Sequence, residues 1–292
     1  MNVTKKSLGT ELDTRATILP SGPGTGPEIR MQPVPRAAAR IVSHGGRGIA
    51  QDRLRLWSQY GSRFRRAMSD MRGVLPKEGP CGDGRPVDDV GALADLAALR
   101  LYLAEEWAWL DPTLLEGKPG AHMPLARCVA SGLRRLPAHR GPAIVRTGVA
   151  EGLVKWHRDN PVVVDQGFWS ATSSPAALGA GGPGYLVWSL TGRRTDSVDP
   201  HARGRLVFVP GTRFKALKVL DGRRPLVLMR EMFPQEPAEE RPGGPGTRRT
   251  EWLDRTTVEE LTQATAGPSG LIFAEFTGPR NRPPGLIGYE PA

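Results

Sequence analysis

Residues 203–214, with the sequence RGRLVFVPGTRF, contain a short apolar run that stops at a Pro-Gly pair. Leu206–Val209 has the length and the β-branched and aromatic content of a buried strand, and Pro210-Gly211 supplies the turn that ends it. Two earlier segments have the same character, Ile144–Gly148 (IVRTG) and Gly167–Ser174 (GFWSATSS). We therefore expect the second half of the chain to form a cluster of short strands.

The first half of the chain has helical periodicity instead. Apolar residues recur at steps of three and four from Asp52 to Leu75, and a second helix begins after the capping residues Asp88 and Asp89. Asp111-Pro112 is expected to end that second helix, because proline lacks the amide hydrogen that a helix interior uses. Helices followed by a group of strands predict an α+β domain, since a parallel sheet requires the two element types to alternate.

Glycine and proline are concentrated towards the two ends of the chain, which contains 36 glycines and 28 prolines. Segments of this composition lack the side chains that build a packed core. The pattern predicts a disordered arm over residues 1–50, a helical region over 51–124, a strand-rich domain over 125–232 and a Pro/Gly-rich extension over 233–292.

Basic charge is concentrated in the strand-rich domain. Residues 125–232 carry 17 basic and 7 acidic side chains, and the formal net charge of the whole chain is +10. This balance suits an anionic ligand such as a dinucleotide diphosphate or the backbone of a nucleic acid. Solubility and a general preference for arginine explain the same numbers equally well, so both interpretations stay open.

The first predicted helix is basic and amphipathic. Its arginines occupy mainly the faces that its apolar residues leave free. Such a helix can lie on an anionic membrane or on a partner, although packing of its apolar stripe against the rest of the chain is the commoner arrangement and the one we favour.

Cysteine usage and hydropathy restrict the class of protein further. Cys81 and Cys128 are the only cysteines, and the five histidines lack ligand spacing, so we expect neither a disulfide framework nor a metal site. No signal-peptide core follows the N-terminus, and no run approaches the roughly 18 apolar residues of a membrane span. We expect a cytoplasmic protein without stable membrane insertion, with specialised export left open.

Taken in order, the three quoted segments resemble the Arg-Ser-Glu pattern of the arginine-specific mono-ADP-ribosyltransferases, and the chain looks like a divergent bacterial member that lacks the catalytic glutamate. The resemblance covers about residues 125–232. It implies a split antiparallel β-sheet with flanking helices, preceded by the helical region and the arm. It also implies that NAD binds as the substrate and that its ADP-ribose passes to a macromolecular acceptor, either a protein or a nucleic acid.

The resemblance also assigns residues to NAD. Arg146 matches the arginine of the family's first strand, whose guanidinium fork suits the phosphates of the dinucleotide. Ser170 matches the first serine of the family's Ser-Thr-Ser strand, which is Ser-Ala-Thr here, and its hydroxyl is expected to orient the nicotinamide ribose. The implied cofactor-binding residues are Arg146, Thr147, Gly148, Phe168, Ser170 and Thr172. Ser170 and the residue at position 205 are the implied catalytic positions.

The sequence departs from the family at the catalytic carboxylate. Alignment of Pro210-Gly211 puts Arg203 and Arg205 where the family has its two glutamates. The second glutamate stabilises the positive charge of an oxocarbenium-like transition state, and a guanidinium at Arg205 opposes that charge. Three other carboxylates are candidates to replace it, namely Asp196, Asp199 and Glu231.

Two functions are compatible with these features. The first is an NAD-dependent mono-ADP-ribosyltransferase, or a divergent relative, in which Arg146 and Ser170 place NAD and another carboxylate supports transfer. The second is a catalytically inactive module in which Arg203 and Arg205 extend a basic surface for an anionic ligand, a nucleic acid or a protein. The variant Arg205→Glu, alone or with Arg203→Glu, distinguishes the two, because NAD cleavage gained from that change would mean that the pocket was intact and only the chemistry had been lost.

Overall fold

The computed structural model describes residues 30–31, 48–74, 89–147, 151–174, 184–221, 225–236, 245–265 and 282–287. Its helices are α1 (Ile49–Met71), α2 (Asp89–Leu101), α3 (Trp107–Leu115), α4 (Met123–Arg134), α5 (Glu151–Asp159) and α6 (Pro245–Thr265). A π-helical segment, Tyr102–Glu106, joins α2 to α3, and a 3₁₀ turn, Gly120–His122, precedes α4. Of the predicted arm, residues 30–31 and 48–50 are described, and the other residues lie outside the described ranges.

The strands form one large sheet and one small ribbon. They are β1 (Arg30–Met31), β2 (Gly141–Arg146), β3 (Val162–Val164), β4 (Trp169–Thr172), β5 (Gly184–Ser189), β6 (Arg193–Arg194), β7 (Arg205–Phe208), β8 (Arg213–Leu220), β9 (Leu226–Glu231) and β10 (Leu286–Ile287). The eight-stranded sheet has the order β3-β8-β9-β5-β2-β4-β7-β6, and β1 pairs with β10. Only β5 and β9 are parallel among its described pairs. The predicted α+β class, with helices flanking a largely antiparallel sheet, is confirmed.

Helices α1, α2 and α4 pack into a helical layer with an apolar interior. Leu56 and Phe64 of the predicted α1 stripe are fully buried in it. The helix kinks at Gly61, whose φ of 48° favours a residue without Cβ. Gly132 of α4 allows a close approach of α2, because a Cβ there would lie 2.5 Å from the carbonyl oxygen of Asp95.

Side chains of the large sheet alternate between two covered faces. The first face packs against α5, with Trp169 and Phe208 among its buried residues. The second face packs against the helical layer through Phe168 and Val207, and against α6 through Leu228. The positions of the Arg-Ser pattern are therefore set between two covered regions of one sheet face.

Helix α3 continues past Pro112 to Leu115, so the expectation that Asp111-Pro112 ends a helix is wrong. Proline removes a single amide donor from the helix. Leu110 and Leu114 lie on either side of it in sequence, and both are buried in the helical layer. Burial of these apolar side chains offsets the lost hydrogen bond.

Residues 282–287 complete the core on the first face of the sheet. Leu286 is 1% exposed and lies in the same cluster as Trp169. The guanidinium of Arg282 donates two hydrogen bonds of 2.6 Å to the buried carboxylate of Asp165. The indole nitrogen of Trp169 donates to the carbonyl oxygen of Arg282 at 2.9 Å. This part of the C-terminal region is packed into the domain.

Candidate functional site

Strands β2, β4 and β7 are neighbours in the sheet, and they bring the predicted site positions together. Ile144 of β2 lies opposite Thr172 of β4, and Thr172 lies opposite Arg205 of β7. Residues two positions apart on a strand share a face, so Arg146 lies on the side of Ile144 and Ser170 on the side of Thr172. We call the resulting group the site face, and it consists of Arg146, Ser170, Thr172 and Arg205.

Several polar atoms at the site face are buried without a hydrogen-bond partner among the described residues. They are Nη2 of Arg146, Oγ of Ser170 and, next to the face, Oγ1 of Thr147. Ser170 and Thr147 are only 5% and 7% exposed, so bulk water reaches them poorly. An unsatisfied buried polar group costs about 1–3 kcal/mol and is rare in folded proteins. These three atoms are available to a polar ligand.

Arg205 is itself buried, and it is paired. Its Nη1 lies 3.2 Å from Oδ2 of Asp199. Asp199 also receives Nη1 of Arg100 from α2 at 3.4 Å, and the same Arg100 nitrogen donates to the carbonyl of Val198. Burial lowers the pKa of Arg205 and the charge of Asp199 acts against this change. The guanidinium remains cationic because its ordinary pKa lies far above neutrality.

Asp196, the other carboxylate of the loop before β7, organises the turn that leads into this strand. Oδ1 of Asp196 accepts the amide hydrogen of Gly204 at 2.6 Å, and the φ of 78° at Gly204 fits a residue without Cβ. Arg203 lies on this turn with its side chain exposed. Asp196 thus fixes the turn, while Arg205 enters the sheet and Arg203 points to solvent.

Glu231 lies at the far end of the sheet from Arg146. Its carboxylate accepts the amide hydrogens of Leu190 at 2.7 Å and Thr191 at 2.8 Å, which follow the end of β5. Arg146, in contrast, pairs with Gly184 at the start of β5. The length of a strand separates the two side chains, so Asp199 is the candidate carboxylate that contacts the site face.

Phe168 connects the site strand to the π-helical segment. Its ring lies 4.9 Å from that of Tyr102, centroid to centroid, and it is buried in the helical layer. The hydroxyl of Tyr102 donates to Asp111 at 3.0 Å, and a backbone hydrogen bond from Phe168 also reaches Asp111. Burial raises the pKa of Asp111 to about 7, with Arg282 and these hydrogen bonds acting in the opposite direction.

Sequence reasoning missed Arg100, Tyr102 and Asp111. Each lies in a helix and meets the site strands only through folding, as the 98-residue separation of Arg100 from Val198 illustrates. A tyrosine inside an otherwise apolar helical stretch was the one available signal. Of the predicted residues, Gly148 lies outside the described ranges, and Thr172 accepts the amide hydrogen of Ser174 at 3.1 Å.

Two further observations on the described residues concern metal binding and membrane spanning. There, no three His, Cys, Asp or Glu side chains come together as a group suited to a metal ion. None of the helices in these ranges combines the length and the apolar character that a bilayer crossing requires.

Several solved structures are similar to this chain. No family model and no curated protein matches the sequence. The type III effector XopAI from Xanthomonas axonopodis pv. citri superimposes with a TM-score of 0.50 at 17% identity, covering 68% of this chain and 90% of that chain. Exoenzyme S from Pseudomonas aeruginosa, solved with human 14-3-3 protein beta and Carba-NAD, gives 0.47 at 14% identity over 72% and 97% of the two chains. The eukaryotic mono-ADP-ribosyltransferase ART2.2, solved with NADH, gives 0.45 at 12% identity over 68% and 86%.

The order of the sheet, the neighbouring positions of its Arg and Ser strands and the likeness to XopAI are consistent with one another. This chain has the ADP-ribosyltransferase-like α+β fold.

Proposed function

We propose that this protein is a binding module with an ADP-ribosyltransferase-like fold, which holds NAD or a related dinucleotide at the site face without cleaving it. The observation that carries the proposal is the pair of Arg205 and Asp199. A buried guanidinium stands opposite Thr172, where transfer chemistry calls for a carboxylate.

Binding is supported by the donors that the fold leaves unused. Arg146 offers a guanidinium nitrogen, and Ser170 and Thr147 offer hydroxyls, all without partners among the described residues. A guanidinium with neighbouring hydroxyls suits a diphosphate and a ribose, because each ligand oxygen then replaces a missing hydrogen bond. These side chains therefore fit the binding of a dinucleotide.

Cleavage is disfavoured by the sign of the charge at position 205. Rupture of the nicotinamide–ribose bond develops positive charge on the ribose, and enzymes stabilise such charge with a fixed group of opposite sign. Removal of one such group costs about 3 kcal/mol of transition-state stabilisation. A buried guanidinium in its place adds repulsion to that loss, since burial weakens solvent screening.

Calorimetry with NAD, with nicotinamide release followed in the same samples, tests the proposal. Wild type is expected to bind without release, and Arg146→Ala is expected to lose about tenfold or more in affinity. Arg140→Ala is the matched control, because Arg140 is exposed and directly precedes β2. Absence of NAD binding in wild type would contradict the proposal.

A charge swap examines why cleavage is absent. The double variant Arg205→Glu with Asp199→Arg exchanges the two charges, so an ion pair between positions 199 and 205 is kept and the negative charge moves to position 205. It is expected to gain nicotinamide release, and the single variant Arg205→Glu to gain less, because two carboxylates then face each other. A swapped protein that binds NAD and still releases nothing would show that position 205 does not limit the chemistry.

A second candidate function is ADP-ribosyl transfer with Asp199 as the supporting carboxylate. The contact between Asp199 and Arg205 favours it, because it brings a negative charge to the edge of the site face. If wild type releases nicotinamide and Asp199→Asn does not, this function replaces the first. The acceptor would then be a protein or a nucleic acid.

A further inference from the structure

The outward side of α1 is strongly basic. Five arginines on the helix and its C-cap are exposed, namely Arg55, Arg63, Arg65, Arg66 and Arg72. The helix has two acidic residues, and only Asp70 is exposed, because Asp52 is 2% exposed and receives Nη1 of Arg127 at 3.0 Å. Nη1 of Arg55 also lies 3.9 Å from Oδ1 of Asp52. Five arginines against two acids still leave an excess of positive charge on this side.

Two large apolar side chains are exposed on the same helix. Leu54 is 65% exposed and Trp57 is 45% exposed. The indole of Trp57 packs edge-on against the buried Phe64, with ring centroids 6.0 Å apart. The helix thus holds an indole in place while nearly half of that residue remains accessible.

The inner side of α1 is fixed to the protein, so this outward side has a constant orientation. Leu56 and Phe64 are fully buried in the helical layer. Arg53 donates hydrogen bonds of 2.9 Å and 2.7 Å to the two carboxylate oxygens of Asp95 on α2. Arg53 and Leu56 hold the part of α1 before the kink at Gly61, and Phe64 holds the part after it, so the exposed side chains of both parts keep fixed orientations. The contact of Trp57 with Phe64 joins the two parts.

We propose that the outward side of α1 docks the protein onto an anionic lipid surface. Arginines near a membrane are attracted to its negatively charged headgroups, and exposed tryptophan and leucine enter the apolar boundary below them. A nucleic acid offers the same phosphates but no apolar layer for Leu54. The charge pattern and the exposed apolar side chains together therefore favour lipid over nucleic acid.

The docking is peripheral and reversible. The apolar stripe of α1 is already used by the helical layer, so only the edge residues Leu54 and Trp57 are available to enter the bilayer. Attraction between exposed charges is screened within about 10 Å at 0.1 M salt, so the association weakens as salt rises. It does not depend on the site face, and it is independent of nucleotide binding.

Co-sedimentation of the full chain with vesicles tests this proposal. Vesicles of phosphatidylcholine with phosphatidylserine are compared with vesicles of phosphatidylcholine alone. Wild type is expected to partition onto the anionic vesicles at least about tenfold more strongly, and the double variant Arg65→Glu with Arg66→Glu to lose that preference. Trp57→Ser is expected to weaken partitioning without changing its salt dependence, because it removes an apolar contact and no charge.

The matched control is the double variant Lys118→Glu with Lys155→Glu, which changes the net charge equally at exposed positions outside α1. It is expected to keep the preference for anionic vesicles. Equal losses in the two double variants would overturn the proposal, since they would show a response to overall charge alone. Binding to a DNA duplex but not to phosphatidylserine vesicles would overturn it as well. Thermal melts confirm that each variant is folded.

Discussion

Asp95 in the helical layer and Ser170 at the site face are buried polar residues in opposite situations. Asp95 of α2 has no exposed surface, and its carboxylate receives Arg53, Ser131 and Arg135 at distances between 2.7 Å and 3.3 Å. These donors come from α1 and from the end of α4. The helical layer therefore uses a buried charge to join three helices, and it satisfies that charge fully.

The site face leaves comparable groups unsatisfied. Ser170 and Thr147 are as deeply placed as many core residues, yet their hydroxyls lack partners among the described residues. Other buried atoms without partners among the described residues lie away from the site, among them Nε of Arg127 on α4 and Nδ1 of His157 on α5. What distinguishes the site is that its unsatisfied atoms lie on neighbouring strands, where one ligand can contact them together and recover their cost in stability.

Removal of the buried carboxylate of Asp95 is expected to cause the largest loss of stability. Asp95→Ala leaves Arg53 and Arg135 beside each other without their shared anion, and we expect the free energy of unfolding to fall by about 3 kcal/mol. This is the low end for a buried ion pair, because Arg135 is 34% exposed and can regain water. Chemical denaturation measures the loss. Asp70→Ala, an exposed acid on α1, is the control and should change stability little.

A smaller effect is expected where the sheet also satisfies a buried charge. Arg282→Met removes both guanidinium hydrogen bonds from Asp165, whose carboxylate keeps the amide hydrogens of Gly167 and Gly285. Because those amides remain, we expect a loss of about 2 kcal/mol by denaturation. A loss below that of the Asp70→Ala control would mean that the C-terminal segment is not held through Asp165.

The pH dependence of stability probes the border between the two regions, where Asp111 lies. Burial raises the pKa of this carboxyl to about 7 from an ordinary value of 3.8. The folded state then holds the proton more tightly than the unfolded state. Its contribution to stability is complete below the unfolded pKa and is lost as pH rises towards about 7.

Asp111→Asn isolates that contribution, because asparagine is neutral at every pH and can still accept from Tyr102. We expect the variant to gain about 1 kcal/mol relative to wild type between about pH 5 and about pH 7.5, measured as the difference in unfolding free energy. The figure is reduced for the partial exposure of Asp111. Parallel pH profiles for the two proteins would mean that Asp111 is ionised throughout.

The sequence was informative where structure depends on neighbours along the chain. The apolar run before Pro210-Gly211 predicted β7, and the resemblance to the mono-ADP-ribosyltransferases implied that the three quoted segments share a sheet. It failed at Pro112, because the free energy lost with one helical hydrogen bond is smaller than the free energy gained by burial of the neighbouring leucines. It also missed the contact of Asp199 with Arg100, since nothing local links residues 99 positions apart.

The smallest changes in stability are expected at two buried serines of the sheet, whose hydroxyls are in opposite situations. The hydroxyl of Ser189 donates to the carbonyl of His139 at 3.0 Å and accepts the amide hydrogen of Gly192 at 3.1 Å. The hydroxyl of Ser170 has no partner among the described residues. Ser189→Ala is expected to lose about 1 kcal/mol, because it removes both bonds and leaves the amide of Gly192 unsatisfied.

Ser170→Ala is expected to leave stability unchanged or to raise it by up to about 1 kcal/mol, because it removes only a desolvated hydroxyl. Denaturation of the two variants without ligand gives the difference directly. Added NAD should then stabilise wild type and Ser189→Ala more than Ser170→Ala, since only the last lacks a group of the site face. If Ser170→Ala is as destabilised as Ser189→Ala without ligand, Ser170 belongs to the packing of the sheet, and its hydroxyl is not held for a ligand.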